Sequence, residues 1–283
     1  MKKRIIAIIS VFHPDEFNII NIEKFIEQVD FAYICDNSPQ KSSALEVLEK
    51  SEYIFNGANL GLSLAFNRVL KSYSFLNSDF IVFFDQDSVI QKGHIQTLVS
   101  EYERLEMRGI KIGCIGPNFY NVYNNRENTY IDNTHNKNVR VVDFLMTSSL
   151  LCKYDTLKNI GFWNEKIFLD LSDYDLCWRI RANGYMLFIA PSIILCHALG
   201  KGEKKIGLLR IKEGSPFRVY YQTRDCLRLI AKSYVPLKFK LRFFLMLTVR
   251  PIVYLIFLGD KRERIKYYIK GIRDFSKGIY GSL

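Results

Sequence analysis

Two aspartates separated by one residue, in Asp85-Gln86-Asp87, are the clearest candidates for chemistry in this sequence. They follow the apolar run 80–84, which predicts a buried strand. Two carboxylates in such a turn can bind one Mg²⁺ or Mn²⁺ together and stabilise charge on a departing diphosphate. A solvated acidic turn is the alternative. A single histidine is usually structural, so we expect His197 to bind the metal only if it meets this turn in space.

A second group of carboxylates, Asp170, Asp173 and Asp175, lies at the start of a helix predicted over residues 173–183. Capping and the helix dipole explain one or two acids at such a position. Three acids exceed that need, and a carboxylate held there could act as a general base toward a hydroxyl group.

Strands and helices alternate in the part of the chain that would position these residues. Apolar, β-branched runs predict strands over residues 5–11, 31–35, 53–55, 80–84, 112–115, 141–153, 185–190 and 193–196. Apolar residues at helical spacing predict helices over 17–29, 44–48, 59–73, 95–105 and 173–183, and from Pro216 onward. The alternation predicts an α/β fold with a mostly parallel sheet and helices on both faces. Ligands bind beyond the carboxyl ends of such strands, where Asp36 and Asp85 lie.

Other motifs narrow the possible classes. Six scattered cysteines without CxxC spacing exclude a zinc ribbon or thioredoxin motif and favour buried thiols in a reducing compartment. No GxGxxG or P-loop motif is present. The first apolar run is too short for a signal peptide, which favours a cytoplasmic location. The asparagine-rich stretch 118–140 predicts a loop region near the site.

The positive charge of the chain is concentrated at its end. The net charge is +11, and residues 201–283 hold 20 Lys/Arg against 6 Asp/Glu. Residues 235–258 are apolar but interrupted by cations, which favours an interfacial helix, and 261–277 form a basic amphipathic stretch. We expect this tail to bind an anionic membrane surface; a helix packed on its own domain with solvated cations is the alternative. No nucleic-acid-binding signature is present, and nucleic acid is not an expected partner.

Several motifs together carry a resemblance to a known family. They are Ser10-Val11-Phe12-His13-Pro14-Asp15, Cys35-Asp36-Asn37-Ser38, Asn59-Leu60-Gly61, Phe84-Asp85-Gln86-Asp87-Ser88, residues 168–179 and His197-Ala198-Leu199-Gly200. Their order resembles that of family 2 glycosyltransferases over roughly residues 4–232. The Asp-Gln-Asp-Ser phrase and the later acidic motif look most like the bacterial rhamnosyltransferase branch, which builds O-antigen and capsular polysaccharides.

The resemblance implies a GT-A catalytic domain over residues 1–215, an inverting mechanism, and a basic, membrane-associated helical region over 216–283. On the donor side it implies that Asp36 contacts the nucleotide base and that Ser10, Phe12 and Asn59 line the substrate pocket. It implies that Asp85 and Asp87 hold the metal and the donor ribose-diphosphate, with His197 completing the metal shell. On the acceptor side it implies Asp173 as catalytic base, with Trp178 and Arg179 shaping the acceptor or diphosphate site.

Three positions depart from the family pattern. Serine stands in Thr147-Ser148-Ser149 where the branch usually has glycine, Asp225 replaces the usual Asn, and Ser172 replaces a common Glu. We expect an inverting transferase that uses dTDP-L-rhamnose and a lipid-linked oligosaccharide, peripheral on the inner face of the bacterial plasma membrane. A UDP-hexose donor (galactose, glucose or N-acetylglucosamine) and a non-catalytic, membrane-docking pseudo-transferase are the alternatives.

Overall fold

Nine strands form one mixed sheet in the computed structural model, which describes residues 3–121, 126–128, 138–197, 203–206, 209–212 and 215–283. The strands are β1 Ile5–Val11, β2 Phe31–Asp36, β3 Ser51–Phe55, β4 Phe80–Asp85, β5 Ile112–Asn121, β6 Arg126–Asn128, β7 Arg140–Val142, β8 Leu150–Lys153 and β9 Met186–His197. Their order is β3-β2-β1-β4-β8-β5-β9-β7, with β6 paired to β5. A separate antiparallel pair joins β10 Glu203–Ile206 to β11 Leu209–Lys212.

Helices cover both faces of this sheet. They are α1 Glu16–Ile26, α2 Ser43–Glu46, α3 Leu62–Ser72, α4 His94–Met107, α5 Tyr154–Asn159, α6 Ser172–Ala182, α7 Pro216–Ile230, α8 Leu237–Phe257 and α9 Lys261–Ser276. Alternate residues of β4 point to opposite faces, so that Val82 packs under α1 and α4 while Phe83 packs under α3 and α6. The predicted α/β architecture is confirmed, but the sheet is mixed and not mostly parallel, because four of its described strand pairings are parallel and four are antiparallel.

The predicted strand over residues 141–153 is interrupted in the structure. Strand β7 pairs with β9, whereas β8 pairs with β4 and β5, and both run antiparallel to these partners. A connecting segment, residues 143–149, lies between them. The apolar pattern alone does not show this interruption, because both halves are strands with different partners.

The region predicted as a loop, 118–140, is partly extended. Strand β5 continues to Asn121 beside β9, and β6 pairs back onto β5. Residues 122–125 and 129–137 of this predicted loop lie outside the described residues.

The last three helices pack on one another and on α6. Helix α8 contains Pro251, which has no N–H to donate to the carbonyl of Leu247 four residues earlier. The hydroxyl of Tyr268 on α9 donates to that carbonyl at 2.6 Å, so the hydrogen bond is replaced from outside the helix. Among the described helices, none is both long and apolar enough to cross a membrane.

Candidate active site

The carboxyl ends of three neighbouring strands bring the first group of predicted residues together. Strand β1 lies between β2 and β4, and its register places Ser10 beside both Cys35 and Asp85 and places Val11 beside Asp36. Because the three strands are parallel, the turns that follow them leave the sheet on the same edge. The predicted donor-side residues therefore share one edge of the sheet.

The middle residue of the acidic turn, Gln86, ties this turn to the loop after β1. Its side-chain oxygen accepts from the Phe12 N–H at 2.6 Å, and its side-chain nitrogen donates to the Phe12 carbonyl at 3.2 Å. The same nitrogen donates to Asn18 Oδ1 at 3.0 Å. The backbone of Phe12 is thereby held at the acidic turn after β4, while its ring stays 46% exposed at the edge.

Asp36 supports this edge from inside the protein. It is fully buried, and its two carboxylate oxygens accept from the Ser38 N–H at 2.8 Å and the Tyr53 hydroxyl at 2.5 Å. The Ser38 hydroxyl in turn accepts from the His13 N–H at 2.7 Å. Asp36 thus fixes the turn that contains Ser38, and Ser38 in turn holds the loop that contains Phe12 and His13.

The connecting segment before β8 joins the two acidic groups. The backbone N–H of Thr147 donates to Asp173 Oδ2 at 3.3 Å, and its hydroxyl donates to the other carboxylate oxygen. The next hydroxyl, Ser148 Oγ, bonds to the Ser88 hydroxyl and accepts from the Asp85 N–H at 3.4 Å. One short segment therefore contacts both the start of α6 and the turn after β4.

Ser149 completes this segment in a conformation that favours glycine. Its φ of +63° lies in the left-handed region. Its hydroxyl pairs with His94 Nε2 at 2.7 Å, and its N–H donates to the Phe83 carbonyl at 2.6 Å. Burial lowers the pKa of His94 to about 4, so the imidazole is neutral at physiological pH. The hydroxyl of Ser149 makes a hydrogen bond that glycine could not make, which explains a serine here although the positive φ favours glycine.

The electrostatics show that the two acidic groups are neighbours. Burial raises the pKa of Asp85 to about 7, and the carboxylate of Asp87 adds to the rise. Burial also raises the pKa of Asp173 to about 7; the hydrogen bonds from Thr147 oppose this rise, and the charge of Asp85 adds to it. Three carboxylates from two distant chain segments therefore share one site, and each makes ionisation of the next more costly.

The three acids of the second group face three different surroundings. Asp173 faces the site, whereas Asp170 accepts from the Gln222 side chain of α7 at 2.6 Å. Asp175 is fully buried and accepts from Arg179 Nε at 2.7 Å and from the Tyr234 hydroxyl at 2.5 Å. The structure thus assigns the site-facing role to Asp173 alone among them.

The side chains of Trp178 and Arg179 are engaged in packing, not at the acidic site. Trp178 is 2% exposed, and its ring centroid lies 4.9 Å from that of Phe239 on α8. Arg179 pairs with Asp175 and donates from Nη1 to the carbonyl of Phe162 at 2.6 Å. Because α6 turns about 100° per residue, side chains five and six positions after Asp173 point elsewhere. In place of the expected substrate contacts, we assign both residues a structural role.

The loop before α3, which contains Asn59 and Gly61, lies against residues 168–175, here called the acidic segment. Asn59 is exposed and accepts from the Gly61 N–H at 3.0 Å, so it closes the turn. The Phe168 carbonyl accepts from the Leu62 N–H at 3.1 Å, and the Phe168 N–H donates to Asp225 on α7 at 3.0 Å. Asp225, one of the departures from the family pattern, is itself paired with buried Arg224 at 2.9 Å.

We expect Gly61→Ala to destabilise the fold by about 3 kcal/mol or more. Its φ of +75° disfavours any side chain, and an added Cβ would lie 2.6 Å from the Phe168 carbonyl oxygen. Gly93 is the matched control, because its φ is +81° but an added Cβ meets nothing within 4 Å. Gly93→Ala should cost about 1 kcal/mol. Equal losses in urea denaturation would contradict the close approach at Gly61.

The raised pKa values predict a stability penalty at neutral pH in metal-free protein. Between the ordinary aspartate pKa and about 7, folded Asp85 keeps a proton that the unfolded chain releases, so the free energy of unfolding falls as pH rises. Asp85→Asn cannot ionise and escapes this fall. With EDTA present, we expect its stability relative to wild type to increase by on the order of 1 kcal/mol between pH 5 and pH 8.

Chemical denaturation at both pH values measures this difference. Asp143→Asn, at a carboxylate that is exposed and paired with Arg181 at 2.9 Å, is the control and should show little pH-dependent gain. A stability difference for Asp85→Asn that is the same at pH 5 and pH 8 would refute the prediction.

Asp85 and Asp87 fit a divalent cation by their chemistry. Both offer the hard oxygen donors that Mg²⁺ and Mn²⁺ prefer, and their mutual repulsion is what a cation would relieve. In the described part of the chain, no group of three or more His, Cys, Asp or Glu side chains is arranged around a common point for a metal. The backbone of His197 ends β9 beside Asn121, but its side chain lies outside the described residues. Two protein carboxylates are enough to bind such a cation when substrate phosphates supply further ligands.

Sequence reasoning did not assign functions to Gln86, Thr147, Ser148 or His94. A polar triplet, Thr147-Ser148-Ser149, inside an otherwise apolar run was the available signal for two of them. Gln86 stood inside the Asp-Gln-Asp-Ser phrase but its own contacts could not be predicted, and His94 carried no signal, because the partners of both lie 55 or more residues away.

A shallow cavity of about 360 Å³ lies at the opposite edge of the sheet, away from the candidate active site. Its lining residues include Asn77, Glu106 and Lys153, near the amino end of β4. It contains none of the predicted site residues.

Comparisons with known proteins agree with this arrangement. Residues 22–153 match the family model described as glycosyl transferase family 2. The dTDP-rhamnosyl transferase RfbF of Shigella flexneri is 26% identical over 290 residues, which cover 99% of this chain and 98% of that protein.

Solved structures share the fold at low identity. TarS 1–349 of S. aureus in complex with UDP-GlcNAc superposes with a TM-score of 0.61 at 12% identity, covering 98% of this chain and 81% of that one. GalNAc-T7 with UDP, GalNAc and Mn²⁺ gives a TM-score of 0.56 at 10% identity, covering 98% and 56%. The acidic turn after β4 lies inside the matched region, so this chain contains a glycosyl transferase family 2 domain, and it has the GT-A fold.

Proposed function

We propose that this enzyme transfers L-rhamnose from dTDP-L-rhamnose to a saccharide hydroxyl with inversion at the anomeric carbon, in a divalent-metal-dependent reaction. The observation that carries the proposal is the segment Thr147-Ser148, which hydrogen-bonds both to Asp173 and to the turn after β4 that holds Asp85. A base and a candidate diphosphate site are thereby adjacent, although they are more than 80 residues apart in the chain.

Asp173 has the properties of the base in this reaction. The acceptor oxygen forms a bond to the anomeric carbon while its proton passes to the Asp173 carboxylate, and the bond from that carbon to the diphosphate oxygen breaks. A pKa raised to about 7 suits a base that works near neutrality. Thr147 holds both carboxylate oxygens and so orients the base.

The opposite side of the site suits the donor. Asp85 and Asp87 would hold Mg²⁺ or Mn²⁺, which would neutralise charge on the leaving diphosphate. The half-exposed ring of Phe12 offers a stacking surface for the nucleotide base, with Ser10 beside it and Asp36 supporting the loop. Asn59 lies in the turn that flanks the acidic segment.

The choice of dTDP-L-rhamnose rests on the relative of similar length, whose name is dTDP-rhamnosyl transferase. UDP-hexoses remain the alternative donors, since the two solved relatives were crystallised with UDP-GlcNAc or with UDP and GalNAc. The Mn²⁺ in the second of these structures supports the choice of metal. We further propose a lipid-linked saccharide as the acceptor and a place on the inner face of the plasma membrane, in O-antigen or capsular polysaccharide synthesis.

Donor screening with the purified chain tests the proposal. dTDP-L-rhamnose, UDP-galactose, UDP-glucose and UDP-N-acetylglucosamine are each incubated with Mn²⁺ or Mg²⁺, and release of nucleoside diphosphate is measured. We expect dTDP-L-rhamnose to be consumed fastest, only with a divalent metal, and NMR of the product to show inversion. Preference for a UDP-hexose would refute the rhamnose assignment, and equal rates in EDTA would refute the metal.

A further inference from the structure

Helix α8 has two apolar faces, and only one of them packs against protein in the described structure. The inner face includes Phe239, Phe243 and Tyr254, which contact Trp178 or α7. The outer face consists of Leu237, Leu241, Phe244, Leu245, Val249, Ile252, Leu255 and Ile256. These eight side chains are between 48% and 71% exposed.

The outer face is one continuous stripe. Its members follow one another at helical spacing, so they line a single side of a 21-residue helix, about 31 Å long. Single exposed apolar residues are normal on a protein surface, but a contiguous row of this length marks a contact with something apolar.

Cations border this stripe at its first two turns. Lys238 and Arg242 lie on one side of it and Lys240 on the other, and α8 contains no acidic residue. Within the described chain, none of these three cations has an ion-pair partner. Residues 216–283 hold 15 Lys/Arg against 4 Asp/Glu, whereas residues 1–215 hold 25 of each. The whole net charge of +11 therefore belongs to the helical end.

The inner face fixes α8 to the helix that carries the base. Trp178, on the same helix α6 as Asp173, packs against Phe239. Arg250 donates to Gln222, which donates to Asp170 at 2.6 Å, so a polar chain joins α8 to the acidic segment. Any surface that α8 rests on is thereby held in a fixed relation to the base.

We propose that the α8 outer face docks on a bilayer that contains anionic lipids, with the helix lying in the interface plane. Aliphatic and aromatic side chains enter the acyl boundary while the bordering cations meet lipid phosphates. A bilayer fits better than a protein groove because the apolar row is long, unbroken by polar groups except Thr248, and bordered by positive charge without acids. This inference rests on the proposed function in one respect: docking would present a membrane-anchored acceptor to Asp173.

Vesicle flotation tests the docking surface. The full chain is mixed with vesicles of phosphatidylcholine alone or of equal parts phosphatidylcholine and phosphatidylglycerol. We expect wild type to float with the anionic vesicles. Phe244→Gln with Leu245→Gln should weaken binding at least about tenfold, and Lys238→Gln, Lys240→Gln and Arg242→Gln together about a hundredfold on anionic vesicles.

Matched variants elsewhere control for composition. Val47→Gln with Met107→Gln removes two apolar side chains that are 76% and 81% exposed but lie far from α8 in the chain. Lys24→Gln, Lys92→Gln and Lys158→Gln remove three exposed lysines of the catalytic region. These variants should float as wild type does, and every variant should keep the wild-type melting temperature.

The outcomes separate docking from catalysis. Flotation that the α8 variants leave unchanged, or wild type that stays with the soluble fraction, overturns the proposal. So does sedimentation equilibrium showing a dimer that the Phe244→Gln, Leu245→Gln variant makes monomeric, since the face would then bind a second copy. Loss of flotation with unchanged turnover of a water-soluble acceptor supports docking. If wild type floats but transfers no sugar, docking stands and the proposed function fails.

Discussion

Asp173→Asn is expected to lower kcat by about 10²–10⁴-fold, the contribution of a positioned general base. Asparagine keeps the size of the side chain and can still accept from Thr147, but it cannot take a proton from the acceptor hydroxyl. A buried carboxylate is destabilising when it ionises, whereas the amide of asparagine stays neutral. The variant should therefore fold at least as stably as wild type above neutral pH. Initial rates across donor and acceptor concentrations give kcat and each KM.

The changes in kcat and in donor KM together identify the role of Asp173. A loss in kcat with donor KM changed by less than about threefold indicates a group that acts in the transition state. Asp143→Asn, which removes an exposed carboxylate of the segment next to Thr147, is the control and should keep wild-type rates. Turnover of Asp173→Asn within about tenfold of wild type would remove Asp173 as the base.

Asp87→Asn should lower kcat/KM by about 10²-fold or more, because a weakly held cation no longer stabilises the leaving diphosphate. It should also raise the Kd for Mn²⁺, measured by titration calorimetry with a nucleoside diphosphate present. That second readout does not depend on turnover.

Metal titration distinguishes the two aspartates. Raising the Mn²⁺ concentration should recover part of the activity of Asp87→Asn, since mass action refills a weakened site. It should recover none in Asp173→Asn, in which Asp85 and Asp87 are intact. Wild-type Mn²⁺ affinity in Asp87→Asn would show that Asp87 is not a ligand.

Local sequence patterns determined many of the strands of this protein and its candidate site residues. The apolar runs that end at Asp36 and Asp85 predicted strands of a parallel sheet, and in the structure both strands pair with β1, so that their carboxyl ends lie at the same edge. Such prediction succeeds because continuous apolar runs and strand length are properties of short segments. The acids at 85, 87 and 173 were likewise identified as site candidates from residue type and position.

Other features depended on the tertiary structure, because they depend on which distant segment a side chain meets. Three aspartates crowd the start of α6, but only packing separated Asp173, at the site, from Asp175, buried with Arg179 and Tyr234. Trp178 is aromatic and near Asp173 in sequence, yet it packs against Phe239 on α8.

The same distinction applies to the surface. The sequence by itself determined that the chain ends in a basic, apolar region, since charge and hydropathy add up along any segment. Which side of α8 would remain uncovered was decided by contacts with Trp178 and α7, which bury one face and leave the other to solvent. A side chain's role is set by the direction it points once its element is packed, and that direction is fixed by partners that lie elsewhere in the chain.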